Sequence, residues 1–464
     1  MADEQDGHTR WLRQIAVPLP GPEIDEQLRP QLALFDQEIE AWKTTRMMHG
    51  AMEAFSRLQY WSEALASMQI DAANDDNTTL ADALLEGRER SRYGDRKQST
   101  VNAARMSQAA RLMRNIVDPD HGEGSADSDL LCDMHFHVMG CDPDGPARPG
   151  QWRTCEMDIV DHRDGHIWNT GVRAAALPQT MELFSDAFKK KHWQQHHPLV
   201  RASWAHLALQ RIHPFTDGNG RVGRLMVDGM HCEDMLPMVP LNSVLENRRP
   251  DYHNHISDAI FSANPAHYAE FHVEASTQAA RHLRTHARGL EEAITKVNQA
   301  MESVEDIGGP RARHTTAMTL VGVPVMTTAD LVARNRRHIQ PEDAEQIFNR
   351  LADAGLGEHR RLDRPLTKQG RAGQVFVVTC GLQAVRNKPE KYGEIQQNPP
   401  DFDALRREAE AAKLDEDRRR AGGMTKEEEE WWRAERLRQY KKDPSRFNYV
   451  GTPKWARQDG EPER

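Results

Sequence analysis

The sequence predicts a mainly α-helical protein, and three observations support this fold class. Apolar residues recur at helical spacing across residues 30–70, with Phe35 and Trp42 among them. A second such stretch covers residues 266–304 and is ended by the glycine pair of "IGGPR". The alternation typical of a strand is short where it occurs, as in residues 155–168 around an Asp-Gly dipeptide, which predicts a hairpin.

The composition indicates a polar globular protein. At 464 residues the chain is long enough for two or three domains, and 38% of its residues are hydrophobic. A formal net charge of −10 argues against a general role in wrapping nucleic acid or anionic membrane. The five scattered cysteines lack a C-x-x-C spacing, which fits a reducing compartment. The polar start "MADEQDGHTR" and the lack of a long apolar run predict a cytoplasmic protein without a membrane segment.

Further helices follow the N-terminal ones along the chain. The stretch "DAANDDNTT" ends the first group, because Asp, Asn and Thr side chains favour caps and turns. "DPDHGEGSADSD", residues 118–129, predicts a loop. The remaining predicted helices cover residues 100–116, 178–197, 198–212, 220–232, 240–263 and 266–304.

Residues 311–386 have the pattern of a winged helix: a helix, a turn, a second amphipathic helix closed by Gly355, and a strand hairpin. The presumed recognition helix, 341–354, carries four acidic residues against the single Arg350, which suits a phosphate-lined groove poorly. Arginines before it and around the wing leave DNA binding open, but we favour a protein-interaction or structural role. Residues 387–464 are charged and poor in core residues, which predicts a solvated helix or disorder.

The stretch "HPFTDGNGRVGR", residues 213–224, lies between two predicted helices and has the composition of a phosphate site. The N-terminus of the second helix offers free N–H groups and the positive end of its dipole to an anion. Arg221 and Arg224 are three residues apart, so both side chains can reach one polyphosphate. Glycines remove the Cβ atoms that would keep an anion from the backbone. These glycines are Gly218, Gly220 and Gly223.

The other residues of the stretch supply a base, a metal ligand and an anchor. His213 is neutral at neutral pH if its pKa is unperturbed, and can take a proton from an incoming hydroxyl. Asp217 offers a hard oxygen to Mg²⁺, and the Asn219 amide can donate to a phosphate oxygen. Phe215 is expected to pack inward and hold the shape of the loop. Together they indicate a transfer reaction that involves a nucleotide's phosphates.

This stretch resembles the Fic-domain signature H-P-F-x-D/E-G-N-G-R-x-x-R at every fixed position. "RPGQWRT", residues 148–154, is similar to the family's P-G-x-x-R segment, and "LENRRPDYHNHI", residues 245–256, to its Y-x-x-L helix region. The resemblance covers about residues 40–270 and implies a Fic fold, a helical bundle with a short β-hairpin flap. The expected organisation is an N-terminal helical region (1–115), the Fic core (116–270), a linker helix (271–308), the winged helix (311–386) and the tail (387–464).

The resemblance implies transfer of AMP from ATP to a Ser, Thr or Tyr hydroxyl of a target protein. His213 would be the catalytic base, Asp217 would hold Mg²⁺, and the hairpin at 155–168 would be a flap that clamps the target by strand addition. Self-modification and a homodimer are further expectations. Removal of AMP, transfer of another phosphate-containing group, or a DNA-binding regulator with a Fic domain are the alternatives. The implied nucleotide-binding residues are Phe215, Gly218, Asn219, Gly220, Arg221, Arg224 and Tyr252.

Many Fic proteins carry an inhibitory helix, S/T-x-x-x-E-G, whose glutamate pairs with the second motif arginine. The candidate helix here covers about residues 60–73, with Ser67 four residues before Asp71. Because Asp is one methylene shorter than Glu, we expect its carboxylate to fall short of Arg224, which would weaken the inhibition. The alternative is that Asp71 is only a helix-terminal residue. A second candidate, "ADALLEG", has Asp82 in place of Ser or Thr.

The chain has 22 histidines, some of them clustered, as in "MHFHVMG". His135 and His137 lie two residues apart, but no cysteine pair or H-E-x-x-H pattern accompanies them to complete a zinc site. We therefore expect core or surface histidines, and Mg²⁺ as the metal.

Overall fold

The structure is a computed structural model, and its description covers most of the chain up to residue 386. The described residues are 23–47, 50–71, 79–88, 98–117, 124–140, 148–160, 167–169, 172–188, 193–261, 265–304, 307–335, 338–361 and 374–386. The predicted tail, 387–464, lies outside them, as do residues 362–373 of the region in which a winged helix is predicted. In this part of the chain no helix is long and apolar enough to cross a membrane.

The fold is mainly helical, as predicted, with two small antiparallel sheets. The helices are α1 (Ile24–Gln27), α2 (Arg29–Lys43), α3 (Ala51–Asp71), α4 (Leu80–Arg88), α5 (Gln98–Ile116), α6 (Ser128–Met139), α7 (Leu177–Phe188), α8 (Pro198–Ile212), α9 (Asn219–Glu233), α10 (Leu241–Asn247), α11 (Arg249–Phe261), α12 (Pro265–Ala300), α13 (Pro310–Gly322), α14 (Thr328–Arg334), α15 (Pro341–Asp353) and α16 (Thr379–Arg386). The strands are β1 (Asp158–Val160), β2 (Ile167–Asn169), β3 (Val325–Met326), β4 (Glu358–Arg361) and β5 (Gln374–Val377).

Two predicted helices differ from the observed ones. The helix expected over 240–263 is divided into α10 and α11, because Pro250 occupies the first turn of a new helix, where its missing N–H is not needed. The helix expected over 178–197 ends at Phe188. Helix α6 was not predicted, and its start lies inside the loop predicted at 118–129. Asp127 caps α6 by accepting hydrogen bonds from two backbone N–H groups of its first turn.

Helices α8 and α12 form the centre of the core. α8 is buried on almost every side, which its lack of a polar face requires. α12 packs against α2, α8, α13 and α16. The apolar core therefore continues from Ile24 to Val385, and α12 crosses the boundary expected at residue 270. It is a central packing helix rather than the linker that we expected.

The two small sheets lie in different parts of the chain. β1 and β2 pair with Ile159 opposite Trp168, which confirms a hairpin in this part of the chain, although its turn lies outside the described residues. In the C-terminal part, β3, β5 and β4 form one sheet in that order. Strand β3, which has only two residues, was not predicted. The helix pair α14 and α15 followed by two strands agrees with the expected order, and the winged-helix assignment stays a prediction.

Candidate active site

The motif loop between α8 and α9 turns at two residues with left-handed backbone conformations. His213 follows the last residue of α8 with φ of 49°, and Gly218 precedes α9 with φ of 84°. A Cβ on Gly218 would lie 2.8 Å from the Met139 sulfur, so glycine is required there by both conformation and space. The two turns bring the His213 end of α8 and the first turn of α9 together.

Asn219 and Phe215 give the loop its shape. The Asn219 side-chain oxygen accepts from the Phe215 N–H at 2.9 Å, and its amide donates to the Phe215 carbonyl at 2.8 Å. One donor of this amide is therefore used within the loop, and the contact of Asn219 with a phosphate stays a prediction. Phe215 is fully buried, as expected of an anchor, and lies 4.9 Å from Trp152 between ring centroids. It offers no surface to a nucleotide, so its place among the binding residues is corrected.

His135 is a residue of this site whose role the sequence analysis missed. Its ring stacks on Phe215 at a centroid distance of 3.9 Å. Nδ1 accepts from the Gly150 N–H at 2.9 Å, so Nε2 carries the proton that is donated to the Asp217 carbonyl at 2.9 Å. Burial lowers the pKa of His135 to about 4, which keeps this neutral form at physiological pH. His135 thus fixes the backbone at Asp217.

Arg153, within the segment that resembles P-G-x-x-R, holds the other end of the loop. Its Nε donates to the His213 carbonyl at 2.8 Å, and one Nη donates to the Val172 carbonyl at 2.7 Å. The side chain is 1% exposed. A buried guanidinium that donates to several carbonyls ties the chain before the hairpin to the loop.

His213 has the protonation state of a base. Its Nδ1 lies 3.3 Å from the Gln210 carbonyl, and because a carbonyl can only accept, Nδ1 carries the proton. Nε2 therefore has the free lone pair. Burial, followed by the positive charge of Arg153, lowers the pKa of His213 to about 4. The ring is neutral at pH 7 and able to accept a proton.

Asp217 is the exposed carboxylate of the loop. Its Oδ1 accepts from the Gly218 N–H at 2.6 Å and from Arg221 at 3.0 Å. The side chain is 64% exposed, and Oδ2 accepts no hydrogen bond from the described residues. A hard oxygen that is free on the surface fits Mg²⁺, which commonly binds one or two carboxylates together with substrate phosphates and water.

Ser67, Asp71, Arg221 and Arg224 meet in a group that we call the arginine clamp. Arg224 donates from Nη2 to the Asp71 carboxylate at 2.8 Å, and from Nε to the Ser67 hydroxyl at 2.8 Å. Arg221 Nε lies 3.6 Å from the same Asp71 oxygen. Both motif arginines therefore face α3, whereas the inhibitory pattern implied a pair with Arg224 alone.

The expectation that Asp71 falls short of Arg224 is wrong. The shorter side chain reaches the guanidinium because Ser67 draws Arg224 close to α3 with two bonds, one to its hydroxyl and one to its carbonyl, the latter at 2.8 Å. Burial by itself lowers the pKa of Arg224, but Asp71 and then Tyr252 outweigh burial, and the pKa lies above its ordinary value. In this state the Arg224 guanidinium is already paired with an anionic group of the protein.

Tyr252 supports Arg224 from the other side. Its hydroxyl accepts from Arg224 Nη1 at 3.4 Å and lies 3.2 Å from His206 Nε2, whose Nδ1 is 2.6 Å from the Tyr268 hydroxyl. Tyr252 and Tyr268 are each 1% exposed. Tyr252 therefore positions an arginine and does not line an open nucleotide pocket, which corrects its assignment to the binding residues.

The motif glycines have separate roles. A Cβ on Gly220 would lie 3.1 Å from Asp71 Oδ1, at the clamp. A Cβ on Gly223 would lie 2.6 Å from Gln210 Nε2, so Gly223 allows α9 to pack on α8 and does not face a phosphate, contrary to our expectation. The second inhibitory candidate lies elsewhere: Asp82 accepts from Thr79 at the start of α4 and from Arg360 at 2.9 Å.

Comparisons with known proteins agree with the motif. A model of the Fic/DOC family matches residues 125–230. A Nematostella vectensis relative named protein adenylyltransferase Fic is 28% identical over 131 residues, covering 28% of each chain. Protein adenylyltransferase fic-1 of Caenorhabditis elegans is 30% identical over 175 residues, 37% of this chain and 32% of that protein. The chain thus spans about a third of the length of these relatives.

A solved structure of a Fic family protein from Desulfovibrio desulfuricans covers 78% of this chain and 98% of its own, at 16% identity and a TM-score of 0.46. The matched residues 125–230 contain the motif loop, His135, Arg153 and the β1–β2 hairpin. Residues 125–230 thus match the Fic/DOC family, and we refer to them as the Fic domain.

Proposed function

We propose that this chain is a protein adenylyltransferase, which transfers AMP from ATP to a hydroxyl side chain of a target protein. The observation that carries the proposal is the convergence of a neutral base, an exposed carboxylate and two arginines at one loop, in residues 213–224. The names of the relatives support the same reaction. Residues outside the Fic domain, in α3, hold the arginines and would regulate it.

In the proposed reaction the target hydroxyl lies next to His213 Nε2, which takes its proton while the oxygen bonds to the α-phosphorus. The bond to pyrophosphate breaks, and the chain holds the departing charge with Arg221 and Arg224. The backbone N–H groups at the start of α9 face the α-phosphate. For this the arginines must leave Asp71, because a guanidinium that is paired with a carboxylate offers fewer donors to a phosphate.

Mg²⁺ would be held by Asp217 and by the phosphates of ATP, and would neutralise part of the phosphate charge. Within the described residues, no group of three or more His, Cys, Asp or Glu side chains is arranged to hold a metal. Phosphate and water oxygens are thus the further ligands that we propose.

The flap is the proposed contact with the target protein. β1 and β2 form a two-stranded sheet among the described residues, so each strand has an edge that can accept an added strand. Main-chain hydrogen bonds to this edge would hold a target segment in extended form without selecting its sequence strongly. This arrangement supports a protein as the substrate. Which protein is modified would depend on the side chains of the target segment.

The test uses ATP labelled on the α-phosphate or on the γ-phosphate, with Mg²⁺ and a cell lysate. We expect α-label on the chain or on a lysate protein, stronger with Asp71→Ala and lost with Asp71→Ala/His213→Ala. The γ-label should not be incorporated. His314→Ala, on α13 outside the Fic domain, is the control for loss of a histidine. Incorporation of γ-label would indicate phosphoryl transfer, and no incorporation from any of the four nucleoside triphosphates would overturn the proposal.

A further inference from the structure

Helix α16 contacts α3 on the face that points away from the motif. Ser62 and Gln69 are seven residues apart on α3 and so share one face, whereas Ser67 is two residues from Gln69 and lies on the opposite side. The Ser62 hydroxyl donates to the Val385 carbonyl at 3.2 Å. Arg386 Nη2 donates to Gln69 Oε1 at 2.8 Å. Thus α3 is held between α9 on one side and α16 on the other.

Arg386 is itself held firmly. Its Nη1 donates to Glu246 Oε2 at 3.0 Å, and Nη2 lies 3.4 Å from Oε1 of the same carboxylate. The side chains of Arg386 and Glu246 are only 19% and 17% exposed. Glu246 belongs to α10, whose first turn donates backbone N–H groups to Glu63 of α3. Because the Arg386 guanidinium bonds both oxygens of the Glu246 carboxylate, it has little freedom to move. It therefore holds the Gln69 side chain in one position.

The last turn of α3, residues 68–71, depends on side chains for its position. Asp71 is the final residue of the helix, and the terminal carbonyls of a helix lack partners within it, so such turns fray. Ile70 is fully buried, and His253 donates to its carbonyl at 3.4 Å. Gln69 supplies the hold on the side facing α16. We therefore expect loss of the Gln69–Arg386 bond to give Asp71 more conformations that do not reach Arg224.

We propose that Arg386 is a positioning residue for the arginine clamp: it holds the Gln69 turn of α3 and thereby keeps Asp71 against Arg224. The inference rests on the proposed function, because it gives the clamp a role in nucleotide binding. It makes helix α16, outside the Fic domain, a determinant of how well the phosphates of ATP can bind.

The experiment compares Arg386→Gln and Gln69→Ala in the full chain, each with Asp71 intact and with Asp71→Ala. Binding of a non-transferable ATP analogue with Mg²⁺ is measured by calorimetry. With Asp71 present, we expect the dissociation constant to fall by about tenfold, the effect of one charge-assisted hydrogen bond on an equilibrium. With Asp71→Ala we expect no further change. Arg386→Lys should restore part of the wild-type value, and Arg284→Gln, which removes an exposed pair with Glu38, is the matched control.

Amide hydrogen exchange provides a readout that needs no nucleotide. Arg386→Gln and Gln69→Ala should raise exchange in residues 66–71, whereas Arg284→Gln should not. If no variant binds the analogue, including Asp71→Ala, the proposed function fails, and exchange alone decides the positioning role. Unchanged exchange and affinity in both variants would overturn the inference, as would an equal change of affinity in the presence and absence of Asp71. Gln69→Ala keeps the Arg386–Glu246 pair, so it remains informative if Arg386→Gln does not fold.

Discussion

Asp71 should affect both the stability of the fold and the affinity for ATP, and its removal should lower the stability and raise the affinity. Its removal leaves Arg224, whose side chain is 2% exposed, with only neutral partners. We expect Asp71→Ala to lower the free energy of unfolding by about 2 kcal/mol, less than the roughly 3–5 kcal/mol for breaking a fully buried pair, because Asp71 is partly exposed. The same change should tighten binding of the ATP analogue and increase labelling. Denaturant unfolding and calorimetry measure the two effects.

The substitution Asp71→Asn, which introduces an uncharged amide of similar size, separates the effect of charge from that of shape at this position. It keeps the size of the side chain but removes the anion that competes with phosphate, so it should resemble Asp71→Ala in nucleotide binding and lose less stability. Asp71→Glu should still inhibit. Labelling that is the same in all three variants and the wild type would show that the clamp has no regulatory role.

His213 determines the acidic limb of the pH profile. A base must be neutral, and a pKa lowered to about 4 keeps it neutral far below the usual histidine range. We expect kcat/KM for labelling to stay constant from pH 8 to pH 6 and, over the range in which circular dichroism shows the chain still folded, to fall only as the pH approaches about 4 to 5. A limb with its midpoint near pH 6.5 would contradict the burial and the influence of Arg153 that lower this pKa.

At the scale of elements, the α8–α9 contact is set by Gly223. A methyl group there would meet Gln210 Nε2 at 2.6 Å and His206 Cδ2 at 3.0 Å. Although alanine is the better helix former, we expect Gly223→Ala to cost about 1–3 kcal/mol of unfolding free energy, because neither neighbour is at the surface. It should also weaken nucleotide binding by moving Arg224. Gly309→Ala meets no atom within 4 Å and should change stability by less than about 0.5 kcal/mol, and the reverse ranking would refute this account.

The sequence predicts elements that local signals define, and misses those that depend on distant contacts. The bounds of α8 and the motif loop follow from periodicity and from the signature residues. His135 was not predicted as a site residue, because the Asp217 carbonyl that it binds is 82 residues away. Similarly, the Gln69–Arg386 bond joins residues 317 positions apart. The reach of Asp71 was predicted wrongly, since side-chain length alone does not reveal that Ser67 draws Arg224 toward α3.

For the whole molecule, buried histidines make stability depend on pH. Burial is the main cause that lowers five histidine pKa values to about 3 or 4, at His135, His213, His231, His272 and His286. In the unfolded chain such groups bind protons near pH 6.5, so between that value and the folded pKa the unfolded state holds more protons. The stabilisation is therefore complete above about pH 6.5 and is lost as the pH falls through the window down to about pH 4.

At pH 5, each of these histidines should lower the free energy of unfolding by about 2 kcal/mol relative to its value above about pH 6.5. This figure follows from about 1.4 kcal/mol per unit of pKa difference. The sum over five groups is comparable with the whole stability of a typical protein, so we expect acid unfolding at a midpoint between about pH 4 and pH 6. Urea unfolding at several pH values from pH 7 to pH 5 measures the slope of the free energy of unfolding against pH. His286→Leu, which removes a buried imidazole from α12, should reduce that slope by up to one bound proton. The same slope in the variant and the wild type would mean that His286 titrates alike in the folded and unfolded chain.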